Sequence, residues 1–375
     1  MNRTYGFLGT AIAVASDEPS ILEWLDEFLS PAFEILPVAA TADFCVTIRS
    51  DPSACEAIAA TRPDGPLASR ACFALDQEVV AHPHWVTSGR IVLDDVRFGA
   101  FYVLEENRAE VVIRPGSQRS RSGAMRVIRE AASALALTDP DVLLLHAAAL
   151  EHRGKAVLIA GPKGRGKTTT LSYLAGASGA CILTNDRSLL RFRGAETEVR
   201  GIPTVVSIRD GTLELLSLPR LRSLRRAPNP SRHTLAELAA RDGDPQDAPP
   251  EPFRLSPAQL AHAVGVSLSP SGRLCAIAFP EVRPEERSWR LDRLSQSEAY
   301  RRLQQARFGV GSAKSSPTVF EDLMGAARNE SKAARWLAEL AGRVPCFGIS
   351  IGARAYSENA AGLDLVERLT REAQG

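Results

Sequence analysis

Between Val157 and Leu174 an apolar run passes through Gly161-Pro162-Lys163-Gly164-Arg165-Gly166-Lys167-Thr168 into a stretch of helical character. This is a complete G-x-x-x-x-G-K-[ST] match with a strand (Val157–Ala160) before it and a helix (Thr168–Leu174) after it, the setting that gives the motif its meaning. Glycines at 161, 164 and 166 let the backbone curl so that successive N–H groups point inward at an anion. The loop then meets a helix N-terminus, whose unpaired N–H groups and dipole favour negative charge. Lys167 is placed for the β- and γ-phosphates of a nucleotide, and the Thr168 hydroxyl for Mg²⁺; Thr169 completes the binding stretch 161–169. The expectation is a site for ATP with Mg²⁺ in an α/β fold.

A second apolar run, Cys181-Ile182-Leu183-Thr184, ends in Asn185-Asp186, and Asp186 stands 19 residues after Lys167. A right-handed strand–helix–strand crossover lays this run parallel to the strand before the loop, which brings Asp186 to the phosphate edge. Asn-Asp also makes turns, but its position at the end of an apolar strand favours a chemical role for Asp186.

Composition bounds the rest. The chain has 375 residues, 45% hydrophobic and 24% charged, enough for two or three domains with sizeable cores. With 45 basic and 44 acidic residues the formal charge is +1, so nothing implies nucleic acid or an anionic membrane as partner. No apolar run approaches the ~18 residues of a membrane span. The six cysteines show no metal spacing and read as reduced core thiols of a cytoplasmic protein. Phe7–Ala15 superficially resembles a weak secretion signal but reads better as a first strand. Only five of the 45 basic residues are lysine, and three of them, Lys155, Lys163 and Lys167, fall together.

Residues 1–115 are expected to form a mixed α+β, β-rich module of unassigned role. It has a helix of about one and a half dozen residues from Ser20, on the spacing of Ile21, Trp24, Leu25 and Phe28. Strands are expected at Phe44–Ile48, Ile91–Leu93, Phe98–Leu104 and Glu110–Ile113. His82-Pro83-His84 reads as a loop, since no further ligand stands at metal spacing. Residues 116–140 form a connecting helix (119–137), with Arg119, Arg121, Arg126 and Arg129 on a solvated face. Val142–Leu150 and Ala156–Ala160 make a hairpin. Residues 226–257, rich in proline and poor in apolar residues, read as an exposed loop or lid, and Pro280–Arg293 as another connection. A helix over Thr318–Ala341, a strand over Cys346–Ile351 and a last helix over Glu358–Glu372 complete the chain.

The run LLLHAAALEHRGKAVLIAGPKGRGKTTTLSYLAGASGACILTNDR (143–187) resembles the C-terminal catalytic domain of HPr kinase/phosphorylase and its HprK-related relatives. Glu198-Val199-Arg200-Gly201-Ile202-Pro203 is similar to that family's E-[IV]-R-G-[LI]-G signature, with proline at the last glycine. The resemblance implies a P-loop kinase domain over residues 141–350, followed by a C-terminal helix (351–375), and an oligomer. It implies His146 as an active-site histidine, Lys167 and Thr168 as phosphate and Mg²⁺ ligands, and Asp186 as base on an acceptor hydroxyl. It also implies Glu198 as a Mg²⁺ ligand and Arg200 as the signature arginine. Asn185 stands where the family has a first aspartate, which should lower the pKa of Asp186. The segments that bind HPr and reverse the reaction are not recognisable, so HPr is not the expected acceptor.

The resulting expectation is transfer of the γ-phosphate of ATP to a hydroxyl of a peptide, a protein or a small molecule. Asp186 takes the proton while Lys167, His146 and an arginine hold the developing charge. The cluster Arg220, Arg222, Arg225 and Arg226 is a candidate source of that arginine, though a solvated basic stretch is its plainer reading. The competing expectation, supported by Asn185 and Pro203, is a P-loop ATPase or nucleotide-binding regulator without transferase activity.

Overall fold

The computed structural model describes residues 1–38, 40–73, 79–117, 119–162, 164–216, 218, 220–241, 252–283, 285–286, 288–307 and 330–371. The chain divides into two units, whose described parts are residues 1–139 and residues 140–307 with 330–371. Both are mixed α/β with mixed sheets.

The first unit opens with a hairpin of β1 (Asn2–Phe7) and β2 (Thr10–Ser16), turned at Leu8-Gly9 with φ of 51° and 87°. That two-residue turn splits what reads in sequence as one strand, because leucine is a poor advertisement for positive φ. Helix α1 (Pro19–Leu29) buries Ile21, Trp24, Leu25 and Phe28 as the spacing predicts. It stops after 11 residues, earlier than expected. Ser30 precedes Pro31 and adopts extended backbone, the conformation a following proline favours. Then come β3 (Glu34–Leu36), β4 (Phe44–Arg49), α2 (Pro52–Ala60), β5 (Ala68–Phe73), β6 (Val79–Thr87), β7 (Arg90–Asp95), β8 (Ala100–Leu104), β9 (Arg108–Ile113) and α3 (Ser120–Thr138). The nine strands form one sheet in the order β3-β1-β2-β4-β9-β8-β7-β6-β5, parallel at β2–β4 and β4–β9. Helices α1 and α3 pack together and on β2, while α2 packs on β9.

Two expectations fail here for one reason. His82-Pro83-His84 lies inside β6 rather than in a loop, and Arg126 is buried rather than solvated. Arg126 pairs with Asp95 (Nη1–Oδ2, 2.9 Å) and Glu130 (Nε–Oε1, 2.9 Å), and His82 Nδ1 stands 3.7 Å from Asp95. Tyr102 donates its hydroxyl to the same aspartate at 3.1 Å. Buried charges persist where they are paired and hydrogen-bonded, and this cluster pins β6, β7, β8 and α3 to one another.

The second unit begins with the expected hairpin, β10 (Val142–His152) and β11 (Lys155–Ala160), closed by Arg153-Gly154 with φ of 54° and 81°. After it come α4 (Lys167–Ser178), β12 (Cys181–Thr184), β13 (Arg187–Arg193), β14 (Glu196–Ile202), β15 (Val206–Ile208), α5 (Asp210–Leu215), α6 (Leu221–Leu224), α7 (Leu235–Ala239), β16 (Phe253–Leu255) and α8 (Pro257–Val264). The last elements are β17 (Ser271–Arg283), β18 (Trp289–Arg293), α9 (Gln296–Gln305), α10 (Glu330–Arg343), β19 (Cys346–Gly352) and α11 (Asn359–Arg371). Strand β17 runs parallel to both β11 and β19. The ladder β11-β10-β13-β14-β17 closes back on β11. Alternate residues of β10 and β11 feed two cores: Ala148, Leu150, Val157 and Ile159 with Leu171, Leu260 and Leu365, and Ala147, Ala149, Leu158 and Ala160 with Leu303 and Leu337. Burial on both faces explains why these strands read as continuous apolar runs.

The expected lid over 226–257 is corrected. Within it α7 carries a capping box of Thr234 and Glu237, β16 pairs with β15, and Ala227, Leu238, Phe253 and Leu255 are core residues. Buried Gln259 ties the segment down, its side-chain amide donating to the Pro230 and His233 carbonyls at 2.8 and 2.7 Å. Residues 242–251 lie outside the described residues. The expected connection at Pro280–Arg293 is also corrected: β17 continues to Arg283 and β18 follows. Proline is tolerated at 280 because β17 has by then outrun β11, whose last partner there is Ala278. Helix α10 starts at Glu330, and the expected 318–329 part of that helix lies outside the described residues. No helix among the described residues is long and apolar enough to cross a membrane.

Candidate functional site

The loop 161–166 joins β11 to α4. Gly161, Gly164 and Gly166 take φ of 148°, 83° and 85°, conformations that favour glycine at each point where the chain curls. Gly166 has a second reason to lack a side chain, since a Cβ there would stand 2.4 Å from Val282 Cγ2 at the end of β17. Lys163 lies outside the described residues. Pro162 and Gly164 are exposed. Arg165 is also exposed and reaches Glu281 of β17 at 3.6 Å.

Lys167 opens α4 and is only 8% exposed. Its ammonium donates to the Gly161 and Pro162 carbonyls at 2.8 and 3.2 Å, so it spans the mouth of its own loop. Thr168 is half-buried in the first turn of α4. The Thr169 hydroxyl is 2.8 Å from that of Thr212, which docks α5 on the start of α4. Lys155 and Lys167, neighbours in sequence, thus part company in the fold. Lys155 stands at the opposite end of β11 and donates to the Thr370 carbonyl of α11 at 2.9 Å.

Strand β12 is not adjacent to β11; both are antiparallel to β10, which lies between them, so β11 and β12 point the same way. Residues Val142–His146 of β10 pair with β13, and Ala149–Glu151 pair with β12. Asn185-Asp186 occupies the bend between β12 and β13, where Thr184 Oγ1 accepts from the backbone N–H groups of Asp186 and Arg187, each at 3.4 Å. Because His146 is the register partner of Arg187, Asp186 meets the histidine directly, with Nε2–Oδ1 at 2.8 Å.

Asp186 is 36% exposed, and Arg187 Nε is 3.9 Å from its other oxygen. Burial pushes the carboxyl pKa up, but the hydrogen bond and charge of His146 outweigh it. Arg187 and Lys167 add their positive charge, and together they hold the group well below the usual carboxylate range. Lys167, Asp186 and His146 therefore belong to one electrostatic cluster. Asn185 serves the fold instead. It is 8% exposed, and its Oδ1 accepts from the Thr204 hydroxyl at 2.9 Å, fastening the exit of β14.

Glu198 and Arg200 stand elsewhere. In β14 it is Ile202 that lies opposite Arg187, so Glu198 sits four residues along the strand, about 13 Å away at the usual rise. Its carboxylate binds Arg200 Nε at 2.8 Å and faces Arg193 at 3.6 Å. As placed, Glu198 serves arginines and does not face the loop's end of the sheet. The signature's glycine has a clear structural cause: a Cβ on Gly201 would stand 2.0 Å from the Leu183 carbonyl oxygen, where β12 crosses β14.

Among the described residues no three His, Cys, Asp or Glu side chains converge as a metal cage. Sequence reasoning missed Arg187 and the Thr184 turn; the Thr-x-x pattern ahead of Asp186 was a readable signal for the turn. Compared with models of protein families and with curated proteins, the chain matches none.

Proposed function

We propose that the second unit binds ATP at residues 161–169 and transfers its γ-phosphate to a hydroxyl of a peptide, protein or small molecule, with a P-loop core of the HPr kinase type. The observation that carries this reading is the cluster of Lys167, Asp186 and His146 at the end of β11 and the β12–β13 bend. The loop amides and the α4 N-terminus cradle the phosphates, and Lys167 exchanges its own loop carbonyls for phosphate oxygens. The acceptor oxygen attacks the γ-phosphorus, the bond to the β–γ bridging oxygen breaks, and the acceptor's proton passes to Asp186, with His146 holding the carboxylate in place. Mg²⁺ bound with the nucleotide would neutralise phosphate charge, with the Thr168 hydroxyl as the protein oxygen nearest in role.

A second reading has its own support. A carboxylate held far below its usual pKa is a weak base, and Glu198 is committed to arginines. Both favour a nucleotide-binding regulator or an ATPase. Incubation with γ-labelled ATP and a library of hydroxyl-bearing peptides and metabolites separates the two. Label on an acceptor, lost in Asp186→Asn, supports transfer. Label in free phosphate alone, at equal rate in Asp186→Asn, sinks it in favour of the second reading.

A further inference from the structure

The first unit holds a cavity of about 420 Å³ between α2 and the sheet. Its floor is aromatic. Trp85 and Phe101, each 5% exposed, meet edge to face with ring centroids 6.2 Å apart. The indole N–H is turned away from any ligand, since it donates to the Thr61 hydroxyl at 3.0 Å. The wall is charged. The Arg114 guanidinium lies 4.4 Å over the Phe101 ring and bonds the carboxylate of Asp94, while Arg62 stands 3.7 Å from the same carboxylate. Asp94 is 4% exposed and Arg62 is exposed at the mouth.

Counting donors gives the ligand's chemistry. Two guanidiniums bring about ten N–H donors, whereas one carboxylate offers about four acceptor sites. Arg62 at 3.7 Å lies beyond hydrogen-bond length from Asp94, so that carboxylate does not consume its donors. The cavity is within the range of small-molecule sites and is mostly apolar with a few convergent polar groups. A flat ring would pack in the corner that Trp85 and Phe101 make at 79° to each other, and an attached anionic group would share Arg62 and Arg114 with Asp94.

We propose that this cavity, beside α2 and apart from the nucleotide loop, binds a small planar aromatic carboxylic acid through Trp85, Phe101, Arg62 and Arg114. Glu56, exposed on α2 at the rim, opposes the ligand's charge. Ala59, also exposed on α2, borders the space that the ring fills.

Isothermal titration of the full chain tests this with benzoate, 4-hydroxybenzoate and indole-3-acetate, and with tryptophol as the uncharged counterpart of indole-3-acetate. At least one acid should bind at micromolar to low millimolar concentration, and tryptophol at least about tenfold more weakly than indole-3-acetate. Ala59→Phe, at an exposed helix position, should abolish binding; Arg62→Ala should weaken it about tenfold and Glu56→Gln should strengthen it. Thermal melts of each variant confirm that the fold is kept. Failure of all three acids to bind at millimolar concentration overturns the proposal. Equal binding of tryptophol and indole-3-acetate, or binding unchanged by Ala59→Phe in a folded variant, overturns it as well.

Discussion

His146 Nε2 and Asp186 Oδ1 stand 2.8 Å apart at the point where β10 changes partner from β13 to β12. The bend that presents Asp186 is thus held by the strand that also pairs with β11, the strand leading into the glycine loop. Asp186 and the glycine loop are braced by one element, which keeps their separation fixed.

The depressed pKa of Asp186 has a direct consequence for acid stability. The folded value lies well below the unfolded one, so the group's contribution is fully present above the ordinary carboxylate range, begins to fall within it, and is lost only as pH drops through the folded value. Urea unfolding of the parent and Asp186→Asn should differ at neutral pH, and that difference should start to shrink at about pH 4 and go on shrinking as pH falls further. A difference independent of pH would mean that the carboxylate's charge is not what the fold uses.

Replacing Lys167 by alanine removes a charged donor aimed at the loop's own carbonyls. Affinity for a fluorescent ATP analogue should drop roughly 10- to 100-fold, while the melting temperature changes little. Tight binding retained in Lys167→Ala would mean that nucleotide binds elsewhere.

His82 behaves in the opposite chemical sense. Burial lowers its pKa from 6.5 and Arg126 adds to this, while Asp95 and Glu130 oppose it. The folded histidine stays neutral where the unfolded chain takes up a proton, so stability falls as pH drops through about 6.5. Chemical denaturation between neutral pH and about pH 5.5 should show this loss, and His82→Gln should reduce it. Breaking the cluster with Arg126→Met should cost about 3–5 kcal/mol, since it removes the cation that two buried carboxylates share.

Gly201→Ala pushes a methyl group into the Leu183 carbonyl. The expected loss is about 3 kcal/mol in urea unfolding. A variant as stable as the parent would show that Gly201 and the Leu183 carbonyl have room to move apart.

The glycine loop, the β10–β11 hairpin, α1, α3, β19 and α11 were legible because each carries its signal locally: glycines with a Lys-Thr pair, alternating apolar residues, or a helical stripe. Arg126 was not, because a helix-face arginine looks solvated until Asp95, 31 residues upstream, is folded against it. The stretch 226–257 misled through its prolines, although Thr234-x-x-Glu237 within it and Ser256-x-x-Gln259 at its end already wrote two capping boxes. Of the site, Lys167, His146 and Asp186 were legible together. Glu198 was misplaced because a motif fixes residue order, and only register with Arg191 fixes how far along the sheet a side chain lies.

Lys155 binds the carbonyl of Thr370, and α11 also rests on α4, with Gly362 close against Tyr173 and Ala177. Strand β11 and helix α4, which flank the glycine loop, are therefore both clasped by residues synthesised some two hundred positions later. A ribosome-bound chain that has emerged through β17 owns the glycine loop, His146 and Asp186 yet lacks the clasp. The settled geometry of the glycine loop becomes a late event in biosynthesis, acquired only once α11 has left the exit tunnel.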